Sequence, residues 1–264
     1  MRKLGFLFLF IHLIVSKQLA TAQTNYLTSF DGVKIAYSIE GKGAPILLIH
    51  GFIQNGKSWH KTELKKALLA NGYQVIIPDL RGNGDSDKPQ KDESYADDVE
   101  VKDLILLMDN LKIRKYSAVG YSRGSIVLAK LLIQDNRITK AVLGGMGIDF
   151  TDPNWDRKHM FAAAFAGKVN ELTEGAVAYA TSINADFRSL HLQQKFQPVT
   201  TVSELAELKL NVLVIAGDED LENGDPEELQ KAIPGAVLKL VLGNHNETYK
   251  TVAFSKEVAD FIED

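Results

Sequence analysis

Gly120-Tyr121-Ser122-Arg123-Gly124 sets a serine between two glycines. Residues 115–119 before it read as the end of a strand, and residues 126–132 after it read as a helix. A strand that turns sharply into a helix through such a serine is a nucleophile elbow. Its hydroxyl stands at the end of a sheet with a helix N-terminus behind it. Small neighbours let strand and helix pass closely while the serine backbone is held in a strained conformation. A serine hydroxyl attacks poorly at neutral pH. It needs a base within hydrogen-bond reach, and the base needs a carboxylate that fixes its tautomer and stabilises its cation.

Histidine and acid candidates follow Ser122 in the chain. His245 lies in Gly243-Asn244-His245, just past the apolar run 236–242. His12 stands near the N-terminus, His60 on a helix, and His159 and His191 in a stretch without strand character, so His245 alone follows a late strand. The acid is less narrowly defined. Asp218, Glu219, Asp220 and Glu222 crowd the loop after the strand 212–216. Asp218 is suited to closing that turn by binding backbone.

Strands must bring these loops to one end of a sheet. Residues 26–30 and 33–39 read as strands joined at Asp31-Gly32, a hairpin turn signal. Ile46-Leu47-Leu48-Ile49 and Val75-Ile76-Ile77 are continuous apolar runs, as in strands buried on both faces. Between them residues 58–70 predict a helix ended by Asn71-Gly72. Ser94 and Asp97 resemble a capping box opening a helix through Val101, Leu104, Ile105, Met108 and Leu111. After the elbow, strands at 141–143, 211–216 and 236–242 alternate with helices at 226–233 and 248–262. Such alternation predicts an α/β fold: a mostly parallel sheet of eight strands with helices on both faces. Residues 147–208 break the rhythm. Helices at 161–165 and 175–183 with no buried strand suggest a small helical cap inserted over the site.

Four signatures in this order resemble the α/β-hydrolase fold, in its serine-nucleophile esterase, lactonase and perhydrolase-like group. They are His50-Gly51-Phe52, the segment from Asp79 to Ser86 (Asp-Leu-Arg-Gly-Asn-Gly-Asp-Ser), the elbow, and the acid and histidine loops. The chain order Ser, Asp, His is that of this fold. The resemblance covers roughly residues 30–264, and its G-x-x-D pattern selects Asp220 as the acid. It makes Ser122 the nucleophile and His245 the base, with the backbone N–H groups of Phe52 and Arg123 as the oxyanion hole. His50 then supports its loop, and the 79–86 segment is structural. Trp59, just after the oxyanion loop, becomes a candidate pocket residue. The Arg123 side chain either faces the pocket and favours an anionic substrate, or turns outward to pair with a carboxylate. The resemblance implies a serine hydrolase of carboxylic ester-like bonds acting through an acyl-enzyme. Carbon–carbon bond, lactone or perhydrolase chemistry on the same residues is an alternative, and a non-catalytic binding protein of this fold is a second. Dehalogenase and epoxide hydrolase relatives use an aspartate nucleophile where this chain has Ser122.

Composition bounds the rest. The 264 residues are 45% hydrophobic with a net charge of −4, enough for one large core and without the Lys/Arg stripe of a nucleic-acid binder. A small-molecule substrate is the expected partner. No cofactor is expected, and no histidine pair has metal-ligand spacing beside a carboxylate. The chain has no cysteine, which excludes disulfides, thiolate metal sites and a cysteine nucleophile. Residues 1–22 read as a signal peptide: Arg2 and Lys3, an apolar run from Leu4 to Val15, then Ala20-Thr21-Ala22 before Gln23. The expectation is an exported protein, periplasmic or secreted, with no stable membrane anchor after cleavage. The domain would then run over residues 23–264.

Overall fold

A computed structural model describes residues 23–220 and 222–263. The expected signal peptide lies outside the described residues. Among the described residues eight strands form one sheet: β1 (Thr24–Thr28), β2 (Lys34–Glu40), β3 (Pro45–Ile49), β4 (Gln74–Pro78), β5 (Tyr116–Tyr121), β6 (Ile138–Gly144), β7 (Asn211–Gly217) and β8 (Val237–Val241). Their order is β1-β2-β4-β3-β5-β6-β7-β8. The β1–β2 and β2–β4 pairs are antiparallel, and every pair from β4 to β8 is parallel.

Strand periodicity of two sorts the buried residues onto two faces. Leu47, Ile49, Ile76, Ala118, Leu143, Val212 and Val214 pack into one cluster with α3 (Val99–Asn110), α4 (Arg123–Gln134) and α9 (Pro226–Ala232). Their neighbours Ile46, Leu48, Val75, Ile77, Val119, Val142, Leu213 and Ile215 face the other way. There they meet α2 (Glu63–Ala70) and α10 (Val252–Glu263) through Leu64, Leu68, Phe254, Val258 and Ile262. Both faces are therefore dry, which is why the central strands read as unbroken apolar runs.

Strand order reverses direction between β3 and β5. In an open parallel sheet, the crevice beyond the strand ends at that point is where ligands bind. Ser122 ends β5, and the His50–Phe52 loop leaves β3 beside it.

Two helix boundaries differ from those expected. The run 58–70 splits into α1 (Lys57–His60) and α2, because the Thr62 side chain accepts the Lys65 N–H and starts a new helix. The capping box at Ser94 does not form. Residues Asp92–Ser94 make a short 3-10 turn, Asp97 and Asp98 both take φ 56°, and α3 starts only at Val99. Between β6 and β7 lie α5 (Asp156–Phe165), α6 (Glu174–Ser182), α7 (Phe187–Lys195) and the short α8 (Val202–Ala206). The first three form their own apolar cluster of Phe165, Ala180 and Leu190 with Ile53, roofing the oxyanion loop.

Candidate active site

The elbow geometry follows from its glycines. Ser122 sits at φ 55°, ψ −129°, a conformation that costs a non-glycine residue of order 1–3 kcal/mol. It is held by the Ser122 N–H donating to Gly144 O at 2.8 Å, with Ser125 Oγ donating to the same carbonyl at 2.8 Å. A Cβ on Gly120 would lie 2.4 Å from Gly124 O, and one on Gly124 would lie 2.3 Å from Ile49 O. Neither position admits a side chain, so the pentapeptide is dictated by the crossing of β5, α4 and β3.

The His245 ring sits between Ser122 and Asp220. Its Nδ1 is 2.8 Å from Asp220 Oδ2, and its Nε2 is 2.9 Å from Ser122 Oγ. Asp220 is buried and only accepts hydrogen bonds, so the ring proton belongs on Nδ1. Nε2 is left as the acceptor for the serine O–H, the state a general base needs. The histidine loop is fastened from below, where Tyr121 Oη donates to His245 O at 2.7 Å. Asn223, which the sequence reading did not single out, is buried beside the ring with its amide 3.2 Å from Nδ1.

The rival acid is engaged elsewhere. Asp218 Oδ1 accepts the Gly243 N–H at 2.9 Å and closes the turn between the two loops. Asp220→Asn is therefore expected to cut kcat by roughly 10⁴-fold, because it presents the wrong tautomer to Ser122. Asp218→Asn should keep activity within a few-fold and lose at most about 1 kcal/mol of stability. Steady-state ester hydrolysis by the two variants checks this, and a larger loss in the second would move the acid to Asp218.

The loop after β3 brings its amides to Ser122. A Cβ on Gly51 would lie 3.2 Å from Ser122 Cβ, so the chain passes directly against it. Among the described residues neither the Phe52 nor the Arg123 N–H has an acceptor, leaving both available to an oxygen held near Ser122. His50 is consumed in bracing this loop. Its Nδ1–H donates to Gly51 O at 2.9 Å, and its Nε2 accepts the Leu80 N–H at 3.0 Å.

Burial holds the His50 pKa below the ordinary 6.5. The unfolded chain then binds the extra proton first. The stability due to neutral His50 is full above about pH 6.5 and drains away as pH falls below it, until the folded ring also protonates. Urea midpoints between pH 8 and pH 5 should fall in the native protein, and fall less steeply in His50→Gln. Equal slopes would contradict a buried neutral ring.

The segment from Asp79 to Ser86 is spent on structure. Asp79 accepts the Gly56 and Asp85 N–H groups at 2.6 and 2.7 Å, and Ser86 Oγ donates to Asp79 O at 2.6 Å. Arg81 is fully buried against Asp103 and Asp31.

A model of the α/β hydrolase fold matches residues 44–173. The chain has the α/β-hydrolase fold. It superimposes on a hydrolase from Pseudomonas aeruginosa PA01 with TM-score 0.78 at 21% identity, covering 91% of this chain and 98% of that one. An esterase from Exiguobacterium antarcticum gives TM-score 0.77 at 18% identity over 92% of this chain and all of the other (100%). These likenesses show the fold. In sequence, 97 residues align at 39% identity with Epoxide hydrolase 3 of Siraitia grosvenorii, 37% of this chain and 30% of that protein. The chain spans less than half the length of the curated relatives it matches.

In this α/β-hydrolase fold a cavity of about 530 Å³ opens over Ser122 and His245. Phe52, Ile126, Met146, Trp155 and Phe161 give it apolar walls. Trp59 is not among them. It is 1% exposed in the core beneath, edge-on to Tyr249 at 5.6 Å, so it backs a wall residue instead of meeting a ligand. The short α1, broken before Thr62, turns the indole inward.

Arg123 takes neither of the two positions expected. Its guanidinium is 3% exposed and is forked onto Glu100, which is equally buried on α3. Pairing with a carboxylate occurs, but inside the protein. Glu100, Gln194 and Gln197 join Asn223 as site neighbours that the sequence reading missed.

Proposed function

We propose that the chain is a serine hydrolase of carboxylic ester-like bonds. The observation that carries this reading is the unbroken relay from Ser122 Oγ through His245 to buried Asp220, facing a cavity. Ser122 Oγ attacks the carbonyl carbon of a small-molecule ester as its proton passes to His245 Nε2. The oxyanion that forms accepts hydrogen bonds from the Phe52 and Arg123 N–H groups. One such donor is typically worth about 3–4 kcal/mol in the transition state. The imidazolium, stabilised by Asp220, returns the proton to the leaving alkoxide, and an acyl-Ser122 remains. Water then gives a proton to His245 and attacks the acyl carbon, releasing the acid and restoring the hydroxyl. The proton transfers use side chains already in hydrogen-bond contact.

A fluorophosphonate probe tests the reading. It should attach to Ser122 in the folded protein, with turnover of p-nitrophenyl esters to match. An unlabelled, folded protein that turns over neither esters nor lactones would overturn it.

A further inference from the structure

Gln194 and Gln197, at the end of α7 and just beyond it, line the same cavity as Ser122. They are 4% and 6% exposed. Among the described residues neither carboxamide has a hydrogen-bond partner in the protein. Nor are they counted among the polar atoms sealed away from all contact, so their amide tips open onto the cavity. A polar side chain that no protein group pairs is left open to water or a ligand, because sealing it away unpaired costs free energy that folding does not recover. Two at one wall, a helical turn apart, are a surface kept for a partner that is not protein.

The wall that carries them is rigid. Arg123 Nη2 donates to Gln193 O at 3.0 Å, and Gln193 Nε2 donates to Arg81 O at 2.9 Å. The end of α7 is thus tied to the elbow and to the Asp79–Ser86 segment, and the two carboxamides are held against the nucleophile's own support.

The charge around them is balanced. Among the described residues three cationic residues line the cavity, and each has a carboxylate: Arg123 with Glu100, Arg157 with Glu222, and Lys250 with Glu247. No surplus positive charge is left to select an anion. Carboxamides offer donors and acceptors together, which suits a hydroxyl or carbonyl group.

We infer that Gln194 and Gln197 form a specificity subsite for a neutral hydrogen-bonding group of the substrate. The ester would carry a hydroxy or oxo substituent in its acyl or alcohol part instead of a plain hydrocarbon chain. This inference rests on the serine hydrolase reading. A site built to hydrogen-bond a substrate group discriminates strongly against the analogue lacking it, because its own polar groups are then stranded.

Matched pairs test it: p-nitrophenyl butanoate against the 3-hydroxy- and 3-oxobutanoates for the acyl part, and ethyl against 2-hydroxyethyl butanoate for the alcohol part. In one arm, which identifies the part recognised, the polar member should lead in kcat/KM by at least about 10-fold. In Gln194→Met and Gln197→Met that lead should shrink about 10-fold, as kcat/KM for the polar ester falls. Thermal midpoints should hold, since neither change removes a hydrogen bond within the protein. A lower midpoint with the preference intact would make the glutamines structural and overturn the inference. So would a native enzyme favouring the plain ester in both arms. Fluorophosphonate labelling separates the two failures. Label on Ser122 without a polar preference ends the subsite alone, whereas no label ends the hydrolase reading and the subsite with it.

Discussion

Ser122→Ala is expected to lower kcat for ester hydrolysis by roughly 10⁶-fold and to abolish fluorophosphonate labelling, with little change in stability. The expectation rests on what Ser122 Oγ touches. Its one side-chain contact among the described residues is His245 Nε2, so no structural bond is lost with the hydroxyl. Alanine takes the φ 55° backbone at the same cost as serine, and the Gly144 carbonyl still receives the main-chain N–H. Ser122→Gly sharpens the test. It should be equally inactive but more stable by about 1 kcal/mol, because glycine adopts positive φ without strain. Activity within 100-fold of the native protein in the alanine variant would mean that the bond-breaking group is not Ser122. Thermal unfolding alongside the kinetics separates loss of chemistry from loss of fold.

The parts of the site that could be read from the sequence are those fixed by backbone geometry. Gly120 and Gly124 leave no space for a Cβ, and such positions can be seen in a pattern of residue types. Ser122 and Asp220 each follow a strand buried on both faces, whose continuous apolar run marks where the loop must begin, whereas His245 follows the edge strand β8, which is mostly exposed and shows itself only by the run 236–242. Choosing Asp220 over Asp218 took a resemblance, since both are acids on one turn. Only the coordinates show Asp218 turned to Gly243 and Asp220 to His245.

What stayed hidden was hidden for a reason. The helix α7 buries Ser189, Gln193 and Gln194 along with Leu190 and Leu192, so its inner face is half polar and gives no amphipathic stripe. Its one local signal was Asp186, whose side chain accepts the Ser189 N–H at 2.7 Å as an N-cap. Glu100 was unreadable for a similar reason. A glutamate in the first turn of a helix is ordinarily a solvated residue that suits the dipole. That it points inward depends on Arg123, which is distant in sequence and equally charged. Trp59 misled in the opposite sense. Its place after the oxyanion loop suggested the cavity, while the break at Thr62 sends it into the core.

Glu100→Leu is expected to destabilise the protein by about 3–5 kcal/mol, because it leaves the Arg123 guanidinium buried without its counter-charge. For a domain of this size that is a fall of roughly 6–20 °C in Tm. Arg123→Met should cost a similar amount by stranding Glu100. The double variant Arg123→Met/Glu100→Leu should recover most of the loss, because both charges leave together and two apolar side chains fill a dry site. A residue of about 1 kcal/mol is expected for the Gln193 carbonyl, which loses its donor. Calorimetry on the four proteins gives the coupling directly. The same double variant decides what Arg123 contributes to the chemistry. The oxyanion donor proposed for it is the main-chain N–H, which methionine keeps, and the Ser122–His245–Asp220 relay does not use its side chain. A folded double variant should therefore keep kcat/KM for a plain ester within about 10-fold, whereas a guanidinium that bound substrate would cost 100-fold or more when removed. The Arg123 side chain then serves the site by fixing the elbow against α3 through Glu100 and against the end of α7 through Gln193 O. Its charge is balanced by buried Glu100, which is how a cation can follow Ser122 without drawing anions to the cavity.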